Sequence, residues 1–360
     1  MSWLESLWYP ESPPSLGARA ILSPLAPVAG CFAAGVAARN FLFDEGLLGG
    51  KVVPGLRILS VGNLTAGGTG KTPVVAFLAE LLLREGARVA VLSRGHGRTE
   101  TGNVRVSGPP WPAVAAVGDE PLLLARRLPA LQVWVGANRV ALAREARAAG
   151  ATVALMDDGF QHRWLARDKD VVVLDEAVGL GSGHLLPWGP LREPSSALGR
   201  ASVLWLRAAT RPAPMPPLPE WLPRVRARHA PVDVLGPDGA IGPVSGMKGR
   251  RVVAFCGIAR PAAFQRTLRE LGAEVTAMNA FSDHHDFRRG ELAALSAAAT
   301  AARAELVTTE KDAMRLPADF PASVVRLGVS VLEGEEVLQK LLAGSGATRR
   351  AGAGDSGEGT

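Results

Sequence analysis

The chain has 360 residues, enough for two domains that each bury an apolar core. Hydrophobic residues make up 47% and charged residues 21%, which excludes an intrinsically disordered chain. The net charge of +6 favours anionic partners such as a nucleotide or an acidic membrane surface, although a chain this rich in Arg, Ala, Gly and Pro carries charge as a matter of composition. Cys31 and Cys256 stand far apart without CxxC or Cys/His spacing, so a disulfide framework and a zinc site are excluded and a reducing, cytoplasmic setting fits.

Residues 18–43 are largely apolar, with Ile21, Leu22, Leu25, Val28, Phe32, Val36, Phe41 and Leu42, and with Arg19 and Arg39 flanking an uncharged middle. No small-residue cleavage site argues for a secreted leader. The Ala and Gly content weakens a spanning helix. The segment reads as a helix lying in the membrane interface, against the plainer alternative of a helix packed on the domain.

Residues 56–61 read as a short buried strand, and residues 72–85 as a helix with Phe77, Leu78, Leu81 and Leu82 at helical spacing. Strands are expected at 89–92, 131–135, 153–156, 171–174 and 203–206, with helices at 122–128 and 139–149. Apolar strands alternating with helices predict an α/β fold: a P-loop NTPase-type parallel sheet covered by helices. Six prolines crowd residues 211–223 and mark a stiff connector. The pattern then restarts as a second, smaller α/β lobe, with strands at 252–255, 274–278 and 306–308 and helices at 261–271 and 291–303. The expected organisation is an N-terminal membrane-associated helical segment over 1–50, a P-loop domain over 51–223, a smaller lobe over 224–343 and a disordered tail over 344–360.

The strongest chemical signal is Thr65-Ala66-Gly67-Gly68-Thr69-Gly70-Lys71-Thr72, set between a strand and a helix. Glycines let backbone N–H groups turn in around phosphate oxygens, and the helix N-terminus adds positive potential. Lys71 is placed to reach the β- and γ-phosphates of ATP, and the Thr72 hydroxyl to ligate Mg²⁺. Thr65 stands where the general pattern has Gly. Asp157-Asp158 ends a strand beside this loop, where a second Mg²⁺ contact arises, with Asp158 the first choice; an Asp-Asp-Gly turn is the plain alternative.

Gly118-Asp119-Glu120-Pro121 opens a helix, where two acids either favour the dipole or supply a base and a metal contact. Ser282-Asp283-His284-His285-Asp286 offers an incomplete metal set, a His–carboxylate pair for proton abstraction, or a solvated loop. Ser93-Arg94-Gly95-His96-Gly97-Arg98 suits an anionic substrate. Thr308-Thr309-Glu310-Lys311-Asp312 closes a strand at its carboxyl end, where α/β sites collect.

Taken in order, these motifs resemble the tetraacyldisaccharide 4′-kinase family, the lipid A 4′-kinases of Gram-negative bacteria. The resemblance runs from Ser60-Val61-Gly62-Asn63-Leu64 through the P-loop, Asp157-Asp158-Gly159-Phe160-Gln161-His162 and Leu186-Pro187-Trp188-Gly189-Pro190-Leu191-Arg192-Glu193-Pro194 to Phe255-Cys256-Gly257-Ile258-Ala259 and the His284 and Lys311 motifs. Thr65 matches the family's own loop, whereas Trp188 stands where a small residue is expected. The resemblance implies transfer of the ATP γ-phosphate to the 4′-hydroxyl of an acylated diglucosamine phosphate lipid. It also implies a site on the cytoplasmic face of the bacterial inner membrane, with the chain peripheral or N-terminally anchored. It further implies that Asp119, paired with His284, accepts the hydroxyl proton, that Thr72, Glu120, Asp157 and Asp158 surround Mg²⁺, and that Asn63, Arg94, Arg98, Gln161 and Arg192 face substrate. No nucleic acid and no obligate protein partner are expected. Two rival readings are a P-loop kinase or ligase for a soluble metabolite, which leaves the apolar N-terminus unused, and a membrane-bound ATPase switch, which leaves Asp119 and His284 without work.

Overall fold

The structure, a computed structural model, describes residues 8–9, 23–215 and 217–343. The tail expected over 344–360 and the start of the N-terminal segment lie outside the described residues.

Helix α1 (Ala26–Asp44) precedes a first lobe of β1 (Arg57–Gly62), α2 (Lys71–Arg84), β2 (Val89–Ser93), β3 (Val104–Val106), α3 (Asp119–Arg127), β4 (Gln132–Val135), α4 (Arg139–Ala148), β5 (Val153–Asp157), β6 (Lys169–Asp175) and β7 (Val203–Arg207). After the Pro-rich stretch come β8 (Arg224–Leu235), β9 (Ile241–Pro243), β10 (Arg251–Cys256), α5 (Pro261–Glu270), β11 (Glu274–Ala280), α6 (Arg289–Ala302), β12 (Glu305–Thr309), β13 (Ala322–Glu333) and α7 (Glu335–Leu342).

One sheet runs through both lobes in the order β11-β10-β12-β13-β8-β7-β6-β1-β5-β2-β4-β3, with β9 added on β8. Its pairs are parallel within each lobe except at β3, which is antiparallel to β4, and at the short β8–β9 pair. Because successive strand residues face opposite sides, Leu59 and Val61 of β1 join the core under α2 while Ile58 joins the core under α4. Both faces are buried, which is why these strands read as continuous apolar runs.

The lobes are joined by an antiparallel ribbon, β8 against β13, which the hydrophobic pattern did not reveal. Arg226, Arg228 and His229 break the apolar run of β8, and Pro231 lies where the register shifts between Arg326 and Leu327. Val225 and Ala227 of this ribbon still enter the first-lobe core. Helix α7, last among the described residues, also returns to that core through Leu338, Leu341 and Leu342. The Arg57 guanidinium donates to the carbonyl of Leu342 at 2.6 Å, satisfying the end of the helix.

Helix α1 is long and apolar enough to cross or lie on a membrane, and most of it is exposed: only Ala29 and Val36 are buried. Its C-terminal half is tied to the first lobe by polar contacts. Glu193, fully buried, accepts from Asn40 at 2.8 Å and Arg200 at 2.9 Å and pairs with Arg39 at 3.3 Å. Arg163 pairs with Asp44 at 2.7 Å and lies over the Phe43 ring.

Candidate active site

The carboxyl ends of β1 and β5, the N-terminus of α2 and two second-lobe loops converge on one cleft. The loop after β1 turns into α2 at Gly70, whose φ of 80° is left-handed and whose missing side chain leaves room for the His229 ring. A Cβ there would meet the imidazole at 2.9 Å. The loop is held from within by Asn63, which is fully buried and donates to the Thr65 carbonyl at 2.7 Å and the Thr69 hydroxyl at 3.0 Å. Gln161 donates to the Asn63 carbonyl at 3.0 Å. The segment around Arg192 closes the far side: Ala66 N–H donates to Pro190 and Arg192 N–H to Leu64, both at 2.7 Å. Trp188, where a small residue was expected, stacks on His184 with ring centroids 3.9 Å apart.

Lys71 lies 3.3 Å from both Asn63 Oδ1 and Asp158 Oδ1. Asp158 also takes the Arg192 guanidinium at 2.8 Å. Burial raises the Asp158 carboxyl, but Lys71 and Arg192 outweigh it and hold the group below the usual carboxylate range. Asp157 differs. Its Oδ2 accepts from the Ser93 hydroxyl at 3.3 Å, and its buried Oδ1 has no hydrogen-bond partner. Burial, with the nearby Glu120 charge next, pushes the Asp157 carboxyl up to about 7. A buried carboxylate with a free oxygen beside a second acid is an environment that a cation would relieve. Among the described residues no three His, Cys, Asp or Glu side chains gather as a protein-only metal cage. Mg²⁺ does not need one, because it binds through one or two carboxylates together with substrate phosphates.

Asp119, first residue of α3, is almost fully buried and receives two second-lobe side chains. Its Oδ2 lies 2.6 Å from His284 Nδ1, and its Oδ1 forms an ion pair with Arg315 at 2.7 Å. Burial raises the carboxyl, but the bonds to His284 and Arg315 outweigh it and lower the Asp119 pKa. Arg315 also contacts Asp286. Asp158 and His284 are two of the three non-glycine residues, among those described, held at positive φ, at 49° and 60°. Such backbone is costly unless surrounding structure enforces it, and it collects at functional sites.

Of the residues expected at the site, Lys71, Asn63, Gln161 and Arg192 gather around the phosphate-binding loop and Asp158, and Asp119 pairs with His284. Arg94 is exposed beside this cleft, whereas Arg98 turns onto its own loop and donates to the Gly102 carbonyl at 2.8 Å. His285 bonds Glu291 at 2.9 Å, away from Asp119. Arg315 was missed: nothing in Asp312-Ala313-Met314-Arg315 distinguishes its cation from a surface charge.

A family model described as tetraacyldisaccharide-1-P 4′-kinase matches residues 21–345. A protein of Anaeromyxobacter dehalogenans named tetraacyldisaccharide 4′-kinase is 47% identical over 371 aligned positions, covering 95% of each chain. One of the same name from Rhodospirillum centenum is 44% identical, covering 79% of this chain and 82% of its own. The crystal structure of LpxK from Aquifex aeolicus, in complex with ATP, is 32% identical with a TM-score of 0.75, covering 89% of this chain and 98% of that one.

Proposed function

The chain belongs to the tetraacyldisaccharide-1-P 4′-kinase family, and from that premise we propose how its residues divide the reaction. It is an ATP-dependent kinase that transfers the γ-phosphate to the 4′-hydroxyl of a tetraacyldisaccharide 1-phosphate, forming lipid IVA in lipid A biosynthesis. The observation that carries this activity onto particular side chains is the 2.6 Å contact of Asp119 with His284 at the mouth of the P-loop cleft.

The backbone of Thr65, Ala66, Gly67, Gly68, Thr69 and Gly70 cradles the triphosphate, and Lys71 leaves Asp158 for the β- and γ-oxygens. Thr72, Asp157 and Glu120 suit Mg²⁺; the free Oδ1 of Asp157 favours it over the doubly paired Asp158 as the metal carboxylate. When bound, the ion neutralises charge on the phosphate oxygens. The Asp119–His284 dyad takes the proton of the sugar hydroxyl. Arg94 is placed for the anionic groups of the lipid. Asn63 and Gln161 brace the loop instead of meeting substrate directly, and Arg192 holds Asp158 until Lys71 moves.

The apolar helix α1 seats the enzyme on the bilayer that holds the acyl chains, at the cytoplasmic face where ATP is available. Replacing His284 by Ala tests the dyad: turnover falls by about 10²-fold or more while ATP affinity is kept. Unchanged turnover would remove His284 from the mechanism.

A further inference from the structure

The two ring nitrogens of His284 have different neighbours. Nδ1 faces Asp119 Oδ2 at 2.6 Å, and Nε2 faces the Lys311 ammonium at 3.2 Å. A lysine ammonium has three donors and no acceptor. A hydrogen bond between it and Nε2 therefore requires a lone pair on Nε2. That places the ring proton on Nδ1, from which it donates to Asp119.

Lys311 is held for this task. Its Nζ lies 2.6 Å from Asp283 Oδ1, and the same oxygen accepts the His284 backbone N–H at 3.0 Å. The turn that carries Lys311 is in turn fixed to the His284 loop. Thr309 caps it through Asp312 N–H, and the buried Asp312 carboxylate accepts from Gly257 N–H at 3.0 Å. Gly257 then takes the His284 N–H on its carbonyl at 3.2 Å. Burial raises the Asp119 carboxyl, but His284 on Oδ2 and Arg315 beside Oδ1 outweigh it and lower its pKa, which makes Asp119 a poor base for a substrate proton. The atom of the dyad that can receive a proton is His284 Nε2, and Lys311 stands on it.

We propose that Lys311 is a positioning residue of the phosphoryl-transfer site: with the Nδ1–H fixed by Asp119, its ammonium keeps Nε2 free of a proton and the Nε2 lone pair turned to the cleft, and it yields that place to the acceptor hydroxyl. This rests on the dyad reading above. In the step, the hydroxyl O–H bond breaks and an N–H bond forms at Nε2. The oxygen keeps the electron pair and bonds to the γ-phosphorus. The bond from the γ-phosphorus to the bridging oxygen breaks, its pair leaving with ADP. The imidazolium is then stabilised by Asp119, and the displaced ammonium stays on Asp283, within reach of the oxygen or the transferring phosphoryl group. The charged and titratable groups facing the His284 ring are Asp119, Asp283, Lys311 and His96, whose ring centroid is 6.0 Å away.

The test is a cycle in the full-length enzyme in micelles: Lys311→Met, Lys311→Arg, His284→Gln and the Lys311→Met/His284→Gln double variant, with ATP affinity measured for each. Lys311→Met should lower kcat by about tenfold or more at unchanged ATP affinity. Arg, also a donor without an acceptor, should restore most of it. On the His284→Gln background the Lys311 change should have no further effect. With ¹⁵N-labelled histidine, the His284 Nε2 signal should be pyridine-type in wild type and move towards the protonated, pyrrole-type position in Lys311→Met. Wild-type kcat in Lys311→Met, or an equal loss on both backgrounds, would overturn the proposal. If His284→Gln itself turns over at the wild-type rate, the dyad reading has failed, and this inference with it.

Discussion

His284 Nδ1 and Asp119 Oδ2 lie 2.6 Å apart, although the two residues are separated by 165 positions and stand on different lobes. Val225, Ala227 and helix α7 carry the first-lobe core across to the second lobe, but around Asp119 the contacts between the lobes are ionic: Asp119 with His284 and Arg315, Arg127 with Glu310, and, further along, Asp175 with Arg260. A kinase must admit a bulky lipid and ATP and then exclude water, and polar contacts around Asp119 let that end of the junction part while the shared core under the β8–β13 ribbon stays closed.

Arg315 is the partner of Asp119 that sequence reasoning overlooked. Its side chain is 10% exposed against 1% for Asp119, so removing it leaves a buried carboxylate short of one cation. In Arg315→Gln, turnover should fall by at least about tenfold, because Asp119 no longer fixes the imidazole. Lys at this position should recover only part, since an ammonium cannot hold Asp119 and Asp286 in the same planar fork. Steady-state kinetics of the two variants beside wild type, with ATP affinity as the control for folding, measure this.

Gly70 combines a left-handed backbone with close approach of the His229 ring. Ala there must both adopt φ near 80° and displace a half-buried imidazole. Gly70→Ala should therefore lose ATP binding while the second lobe stays folded; calorimetric titration with ATP reads the first and thermal unfolding the second. Wild-type affinity would mean that the loop rearranges freely, against the packing described.

Two histidines make stability depend on pH. Burial, then Arg207, lowers His229 to about 3; burial, then Arg139, Arg167 and Arg94, lowers His162 to about 4. Both are neutral in the folded chain at a pH where the unfolded chain, with His near its ordinary value of 6.5, takes up protons. The unfolded state binds more protons in this window, so stability is full above pH about 6.5 and declines as pH falls towards 4. The slope approaches about 1.4 kcal/mol per pH unit for each histidine. Denaturant titrations across this range should show a shallower decline for His229→Gln than for wild type.

Much of this was legible in the chain. The strands of the first lobe are buried on both faces, so their apolar runs marked β1, β2, β5, β6 and β7 to within a residue or two. The P-loop, Asp119 and His284 carry residue types whose spacing has a chemical meaning. The β8–β13 ribbon was not legible, because the face that carries Val225 and Ala227 into the core also carries His229, the other face carries Arg226 and Arg228, and Pro231 interrupts the strand. The return of α7 to the first lobe could not be read from an eight-residue amphipathic stretch that fits either core. That Asp158, and not Asp157, pairs with Lys71 could not be read from two adjacent aspartates; the contact appears only in the fold, with Asp158 at a left-handed φ of 49°.

The central claim is phosphoryl transfer to a lipid, and it is tested most directly with γ-labelled ATP and a lipid A disaccharide 1-phosphate in detergent micelles, wild type beside Lys71→Ala. The account predicts labelled lipid with wild type and none above background with Lys71→Ala. No labelled lipid from a folded, ATP-binding wild type would contradict it, and hydrolysis of ATP without a phosphorylated acceptor would point to a membrane-bound ATPase instead.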